Sequence, residues 1–176
     1  ATPSLTIPMH THSGWVQLGA SAVAVVSLLG GWSWLTALAC LVAGGLAVVQ
    51  IISWKPLAVR TNALLWILYV GYASLGLGLL FAAAHAAGLD LPRVLSVHVI
   101  AMGGFSVLII GMVTRTALGH LGRPLATDKT IRTSYWLILA AVVLRLAAIA
   151  PSVATPWLLR AAAVAWIAGL GLYLWQ

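Results

Sequence analysis

Long apolar runs alternate with short polar breaks along the whole chain. Helix rises about 1.5 Å per residue, so roughly 20 residues cross the ~30 Å hydrocarbon layer of a bilayer. Six runs near that length are present, at 14–31, 34–53, 63–86, 94–114, 133–150 and 157–175. Gly30-Gly31-Trp32, Trp54-Lys55-Pro56, Asp90-Leu91-Pro92-Arg93, the basic stretch 115–132 and the stretch from Pro151 to Pro156 separate them. Tight connections make successive runs antiparallel neighbours, and hydrocarbon forces each run to satisfy its own backbone hydrogen bonds. The pattern therefore predicts a single all-α transmembrane domain, a polytopic bundle of about six helices spanning residues 1–176.

Composition supports that reading. The 176 residues are 62% hydrophobic and 6% charged, too few charges to cover the surface of a soluble domain. The formal charge of +7 would suggest nucleic acid in a soluble protein. Here the cations lie in short loops between apolar runs, so no nucleic-acid partner is expected and the lipid bilayer is the surrounding medium. Lys55, Arg60, Arg115, Arg123, Lys129 and Arg132 fall on the face that holds the chain ends, called here the terminal face. The opposite, far face holds only Arg93 outside the membrane, offset by Asp90. The positive-inside rule then predicts cytoplasmic termini. Trp15, Trp54, Trp136 and Trp175 at the terminal face, with Trp32, Trp34 and Trp157 at the far face, form the expected interfacial belts. No basic segment precedes the first apolar run, so no cleavable secretory signal is expected. Cys40 is the only cysteine, which excludes an internal disulfide and a CxxC site.

The chemistry available is narrow. Asp90 and Asp128 are the only acids and both lie outside the apolar runs, which weighs against a proton-coupled transporter. Five histidines and two arginines within the apolar runs remain. His85 ends the third run and His98 opens the fourth, so both imidazoles belong to the far face. Neutral imidazole ligates haem iron and copper. On the terminal face, His10 and His12 precede the first run and His120 follows the fourth. That HxH pair with a third histidine would make a copper-type site if the first and fourth runs are adjacent. A solvated or hydrogen-bonded interfacial histidine is the alternative at each position.

At 3.6 residues per turn, His98, Met102, Phe105, Ile109 and Met112 share one helical face, which would seat a flat macrocycle beneath a ligand. Beside it, Val97, Ala101, Gly104, Leu108, Gly111 and Arg115 form a small-residue stripe suited to close helix packing. Methionine and phenylalanine also fill membrane cores without further purpose. Arg145 and Arg160 lie about one turn inside the far face. A charge costs roughly 2.5–3.5 kcal/mol at a helix centre and less near its end, where the head snorkels outward. With Arg93 they are the cations that haem propionates would use, and lipid headgroup contact is the competing explanation. In the turn 119–124, Gly119 and Gly122 free the backbone, Pro124 stops the helix, and Arg115, Arg123 and Lys129 would suit an anion, although positive-inside topology alone explains those cations.

The run His98-x3-Met102-x9-Met112-x-Thr114-Arg115-x3-Gly119-His120-x-Gly122-Arg123-Pro124-Leu125 resembles the signature of the NnrS family, with Leu121 in place of a common threonine. Upstream, Leu65-Trp66-Ile67-Leu68-Tyr69-Val70-Gly71-Tyr72 resembles another family motif, with Tyr69 where histidine is common. The resemblance implies a multi-pass protein of the bacterial inner membrane, binding b-type haem and copper and linked to nitric oxide tolerance. It makes His98 and His120 the foremost ligand candidates. His98 would be an axial haem ligand and His85 the second, with Met102 beside them and Arg93, Arg145 and Arg160 at the propionates. His98, His120, His10 and His12 are the metal-binding candidates. Typical members are about twice as long, with a His-Glu-Met motif in a first half that this chain lacks. That implies a C-terminal half, or a short homologue paired with other membrane subunits. A non-catalytic structural subunit is the alternative function, and a transporter a weaker one. His98 and His120 are 22 residues apart, about 33 Å along a straight helix, so within one chain they serve two sites rather than one.

Overall fold

A computed structural model describes residues 11–175. Among these residues the fold is all helical, and six helices are long and apolar enough to cross a membrane. They are α1 (Thr11–Leu29), α2 (Ser33–Ser53), α3 (Ala63–Ala86), a continuous fourth span, α6 (Lys129–Ala147) and α7 (Thr155–Leu174). The fourth span runs from Arg93 to His120. It consists of α4 (Arg93–His98), a π-helical segment (Val99–Ser106) and α5 (Val107–His120).

The two largest boundary shifts from expectation have identifiable reasons. The fourth span continues six residues past Thr114 because nothing in Arg115–His120 breaks the helix before the turn at Gly122. It ends where Gly122 adopts φ +62°. The Arg123 N–H then reaches the Leu118 carbonyl at 3.0 Å and the Gly122 N–H reaches Gly119 at 3.2 Å, the paired bonds of a Schellman cap. Gly122 alone supplies this turn; Gly119 is an ordinary helical residue. The sixth element begins at Lys129 because the Asp128 carboxylate accepts the Ile131 N–H at 2.8 Å, an N-cap that satisfies a donor the helix cannot. Arg115, Lys129 and Arg132 are consequently helical, and the loop between α5 and α6 shortens to 121–128.

Successive helices pack side by side: α1 on α2, α2 on α3, α3 along the whole fourth span, and α6 on α7. Small residues set the closest approaches. A Cβ at Gly44 would stand 2.9 Å from the Gly76 carbonyl oxygen, and one at Gly71 would stand 2.8 Å from Leu108 Cγ. Without a hydrophobic force between helices in lipid, such proximity maximises dispersion contact. The stripe expected on the fourth span is realised at Gly104, Leu108 and Gly111, but Val97, Ala101 and Arg115 are exposed. The seam runs instead through Ser96, Val99, Gly103, Val107, Ile110 and Thr114, all buried.

Two cores result. Ala24, Ala39, Cys40 and Ala83 join α1, α2 and α3. Ile67, Val107, Ile110, Tyr135, Ile138 and Val142 join α3, the fourth span and α6. α3 belongs to both, while α1 and α7 bury little of their surface.

Candidate functional site

The far face is built by two helix ends. α3 closes on Gly88, at φ +88°, with the Leu89 N–H bonded to the Ala84 carbonyl at 3.0 Å and the Gly88 N–H to His85 at 3.0 Å. That cap folds the 87–92 loop back over the last turn of α3. The Leu91 carbonyl thereby comes 2.8 Å from His85 Nδ1. Five residues into α4, His98 Nδ1 lies 2.8 Å from the Val94 carbonyl. A carbonyl oxygen only accepts, so Nδ1 carries a proton in each ring, and in the neutral imidazole the lone pair is then on Nε2. Metal-ligating histidines are commonly held in this way, with Nδ1–H bonded to a backbone carbonyl and Nε2 left for the metal. His85 is exposed and His98 half-buried.

The other far-face candidates separate into distinct places. Arg93 joins His85 in a pocket of about 180 Å³ between the α1–α2 turn and the end of α3, with Ser33 and Thr36 on its wall. Below it, the Thr36 hydroxyl donates to Ser27 Oγ at 2.9 Å and both side chains are buried. Met102 and Arg145 meet elsewhere, in a groove of about 360 Å³ against α7. Arg160 lines neither pocket; its guanidinium carbon stands 5.0 Å over the Trp157 ring, a cation–π contact.

The face expected to carry His98, Met102, Phe105, Ile109 and Met112 together is not formed as such. Met102 packs against the inner core, whereas Phe105, Ile109 and Met112 are more than half exposed, at 54%, 60% and 54%. The physical reason is the π-helix, whose i→i+5 bonding widens the turn and advances each residue by a smaller angle than an α-helix does. Ser106 Oγ follows the same spacing, donating to the Ala101 carbonyl at 3.0 Å.

On the terminal face, His12 in the first turn of α1 and His120 at the last residue of α5 are both exposed. α1 packs on α2 and α5 on α3, and α1 and α5 form no packed interface. The adjacency required for a copper-type site is therefore absent between those helices. Among the described residues no three His, Cys, Asp or Glu side chains gather as a metal-holding group. His10 lies outside the described residues. Arg123 lines a terminal-face pocket of about 590 Å³ together with Asp128, whose carboxylate makes that pocket a poor anion site. Arg115 and Lys129 do not line it.

One polar constellation escaped the reading of histidines and arginines. The Tyr72 hydroxyl is 2.8 Å from Gln17 Oε1 and also meets Gln50 Oε1, while Gln50 Nε2 donates to Ser13 Oγ at 3.1 Å. One phenol proton serves only one amide oxygen, so the other amide turns its NH2 toward the phenol oxygen. Trp54 stacks on Tyr72 at 5.3 Å between ring centroids. Glutamines inside apolar runs were the available signal, since a side-chain amide in hydrocarbon needs a partner.

The model of the NnrS family, described as NnrS protein, matches residues 3–176. The chain belongs to that family. No curated protein and no solved structure matches it.

Proposed function

We propose, on the premise of membership in the NnrS family, that this multi-pass membrane protein binds b-type haem at its far face and acts in nitric oxide tolerance in the bacterial inner membrane. The observation that supports the reading is the pair of imidazoles on the same face with Nδ1–H held by a backbone carbonyl, Leu91 for His85 and Val94 for His98. Each ring is thereby fixed as an Nε2 donor. His98, half-buried at the start of the π-segment, would be the principal residue holding the haem iron, with His85 as the second. Arg93, in the pocket of His85, is the cation for a propionate. When bound, haem iron would supply the diatomic-gas and electron-transfer chemistry. The chain's own residues hold the ring nitrogens in the ligating tautomer and offer one guanidinium to a carboxylate. A haem needs at most two protein ligands, so the absence of a three-residue metal group among the described residues does not count against it. It does leave copper without a three-ligand set on those residues.

The test is an optical spectrum with iron analysis on the purified protein. Wild type is expected to show a Soret band with iron near one atom per chain. His98→Ala should lose most of the band, and His85→Ala should shift it toward a five-coordinate spectrum. Wild-type protein lacking the band would overturn the reading. A second reading has its own support: α1 and α7 bury little of their surface, which leaves two outer helices for another membrane subunit. As a structural subunit the protein would assemble unchanged in the His98→Ala and His120→Ala variants.

A further inference from the structure

Between the π-helical segment and the α6–α7 pair lies a groove of about 360 Å³. Its wall on α7 is made by Leu159, Ala162, Ala163, Trp166 and Ile167, residues at the three- and four-residue spacing of one helical face. From Leu159 to Ile167 that wall runs about 12 Å, most of the ~15 Å half-thickness of the hydrocarbon layer. Met102 faces it from the fourth span, and Arg145 contributes the only charge. Arg145 lies in the last turn of α6, at the far-face end. The groove is thus apolar along its length and cationic at its mouth.

Among the described residues the cation has no salt-bridge partner. Asp90 and Asp128 are the only acidic side chains. Asp128 caps the opposite end of α6, about 25 Å away along the helix. No ion pair involves Arg145 among the described residues. Arg160 differs, since its guanidinium rests on Trp157. An occupant must therefore bring an anionic head and an apolar tail, the head at the depth of the interface and the tail directed toward the bilayer centre.

We propose that this groove binds one anionic phospholipid of the far-face leaflet. The phosphodiester takes the Arg145 guanidinium, for which a bidentate oxygen pair is the matching partner. One acyl chain lies along Ala162 and Ala163 between Met102 and Trp166. Neither imidazole lines the groove, and His85 belongs to the Arg93 pocket. The lipid site therefore stands apart from the haem reading and can fail independently of it.

The experiment uses the full chain in neutral detergent, with retained lipid read by native mass spectrometry and thermal stability followed during lipid addition. Phosphatidylglycerol should be retained and raise the transition temperature; phosphatidylcholine of the same chains should do neither. Arg145→Gln should weaken phosphatidylglycerol binding about tenfold or more, and Ala163→Trp should abolish it by filling the groove while the Soret band stays unchanged. Arg132→Gln, on the terminal face, serves as the charge-loss control and should bind as wild type does. Equal retention of the two lipids, or wild-type affinity in Arg145→Gln, would overturn the proposal. So would equal protection by inorganic phosphate, which would mark a site for a free anion. Loss of the Soret band in Ala163→Trp with lipid retention unchanged would place the macrocycle in the groove instead.

Discussion

Replacing Tyr135 by Phe should stabilise this protein. Tyr135 is 0% exposed, packed among Ile67, Val107, Ile110 and Ile138, with the Trp66 ring edge-on at 6.2 Å. Its hydroxyl is buried without a hydrogen-bond partner. Thr114 donates its own proton to the Ile110 carbonyl at 2.6 Å, so it offers the phenol no proton, only an oxygen. Leaving a buried polar group unsatisfied costs about 1–3 kcal/mol. In a bilayer part of that cost is also present in the unfolded reference state, which brings it to ~1 kcal/mol. Removing one oxygen forfeits a few dispersion contacts of about 0.1–0.2 kcal/mol each. The net expectation is a gain near 0.5–1 kcal/mol, or roughly 1–4 °C in transition temperature for a chain of this size. Cys40 is the only cysteine and is buried, so a thiol-reactive dye reports global unfolding without an added label. Ser134→Ala is the neighbouring control of opposite sign. It removes a bond from Ser134 Oγ to the Gly169 carbonyl at 2.7 Å, and should destabilise by about 1 kcal/mol. A fall of 2 °C or more in Tyr135→Phe would refute the reasoning. It would show that the phenol is hydrogen-bonded after all, with Thr114, the hydroxyl beside it, as the partner.

Three further outcomes follow from the packing. At Gly71 a Cβ would meet Leu108 at 2.8 Å and its backbone nitrogen at 3.0 Å, so Gly71→Ala should cost about 1–3 kcal/mol in a thermal melt. Gly45→Ala, with nothing within 4 Å, should be neutral or gain up to ~1 kcal/mol of helix propensity. Gln17→Leu and Gln50→Leu should each cost under ~1 kcal/mol, because Tyr72 keeps one amide in either case. The double variant should exceed their sum, and additivity would show that the two amides do not share the phenol. Gly122→Ala forces an L-residue to φ +62° at about 1–2 kcal/mol, and should speed limited proteolysis in 121–128 while leaving the spans intact.

Much of the fold could be read from the chain because hydrocarbon thickness imposes a length, and apolar runs of that length are hard to mistake. The Asp128 cap was also readable, as an acid immediately before a helical run, yet it was overshadowed by the basic residues around it. Helix adjacency was less legible. Tight loops predict sequential neighbours, and that holds here, but nothing in the apolar pattern says that α1 stays on α2 while α5 stays on α3. The HxH and His120 idea depended on that point. The far-face site was legible as residue types and not as groups. Histidines and arginines could be assigned to a face, but their division between the Arg93 pocket and the Arg145 groove depends on which helix each side chain turns toward.

The π-helical segment decides where the apolar residues that follow His98 fall. Periodicity distinguishes helix types only when one face is polar, and Val99–Ser106 is apolar or small on every side, so no pattern marked the wider turn. Its position follows from packing. Gly78 on α3 meets Ile100 and Val99, Ser74 meets Gly103, and Leu75 meets Gly104. Glycine thus lies on both sides of the contact, and the backbones approach closely over the whole segment. An α-helix with 3.6 residues per turn would bring His98 and Met102 close to one line. Over those four residues the wider turn leaves them about as close. Over seven it carries Phe105 well away from the line of His98, so Phe105 is exposed while Met102 packs on the core and lines the groove. The residues a single α-helical face would have gathered are therefore divided between outward positions, Phe105, Ile109 and Met112, and an inward one, Met102, which lines the groove that Arg145 also lines.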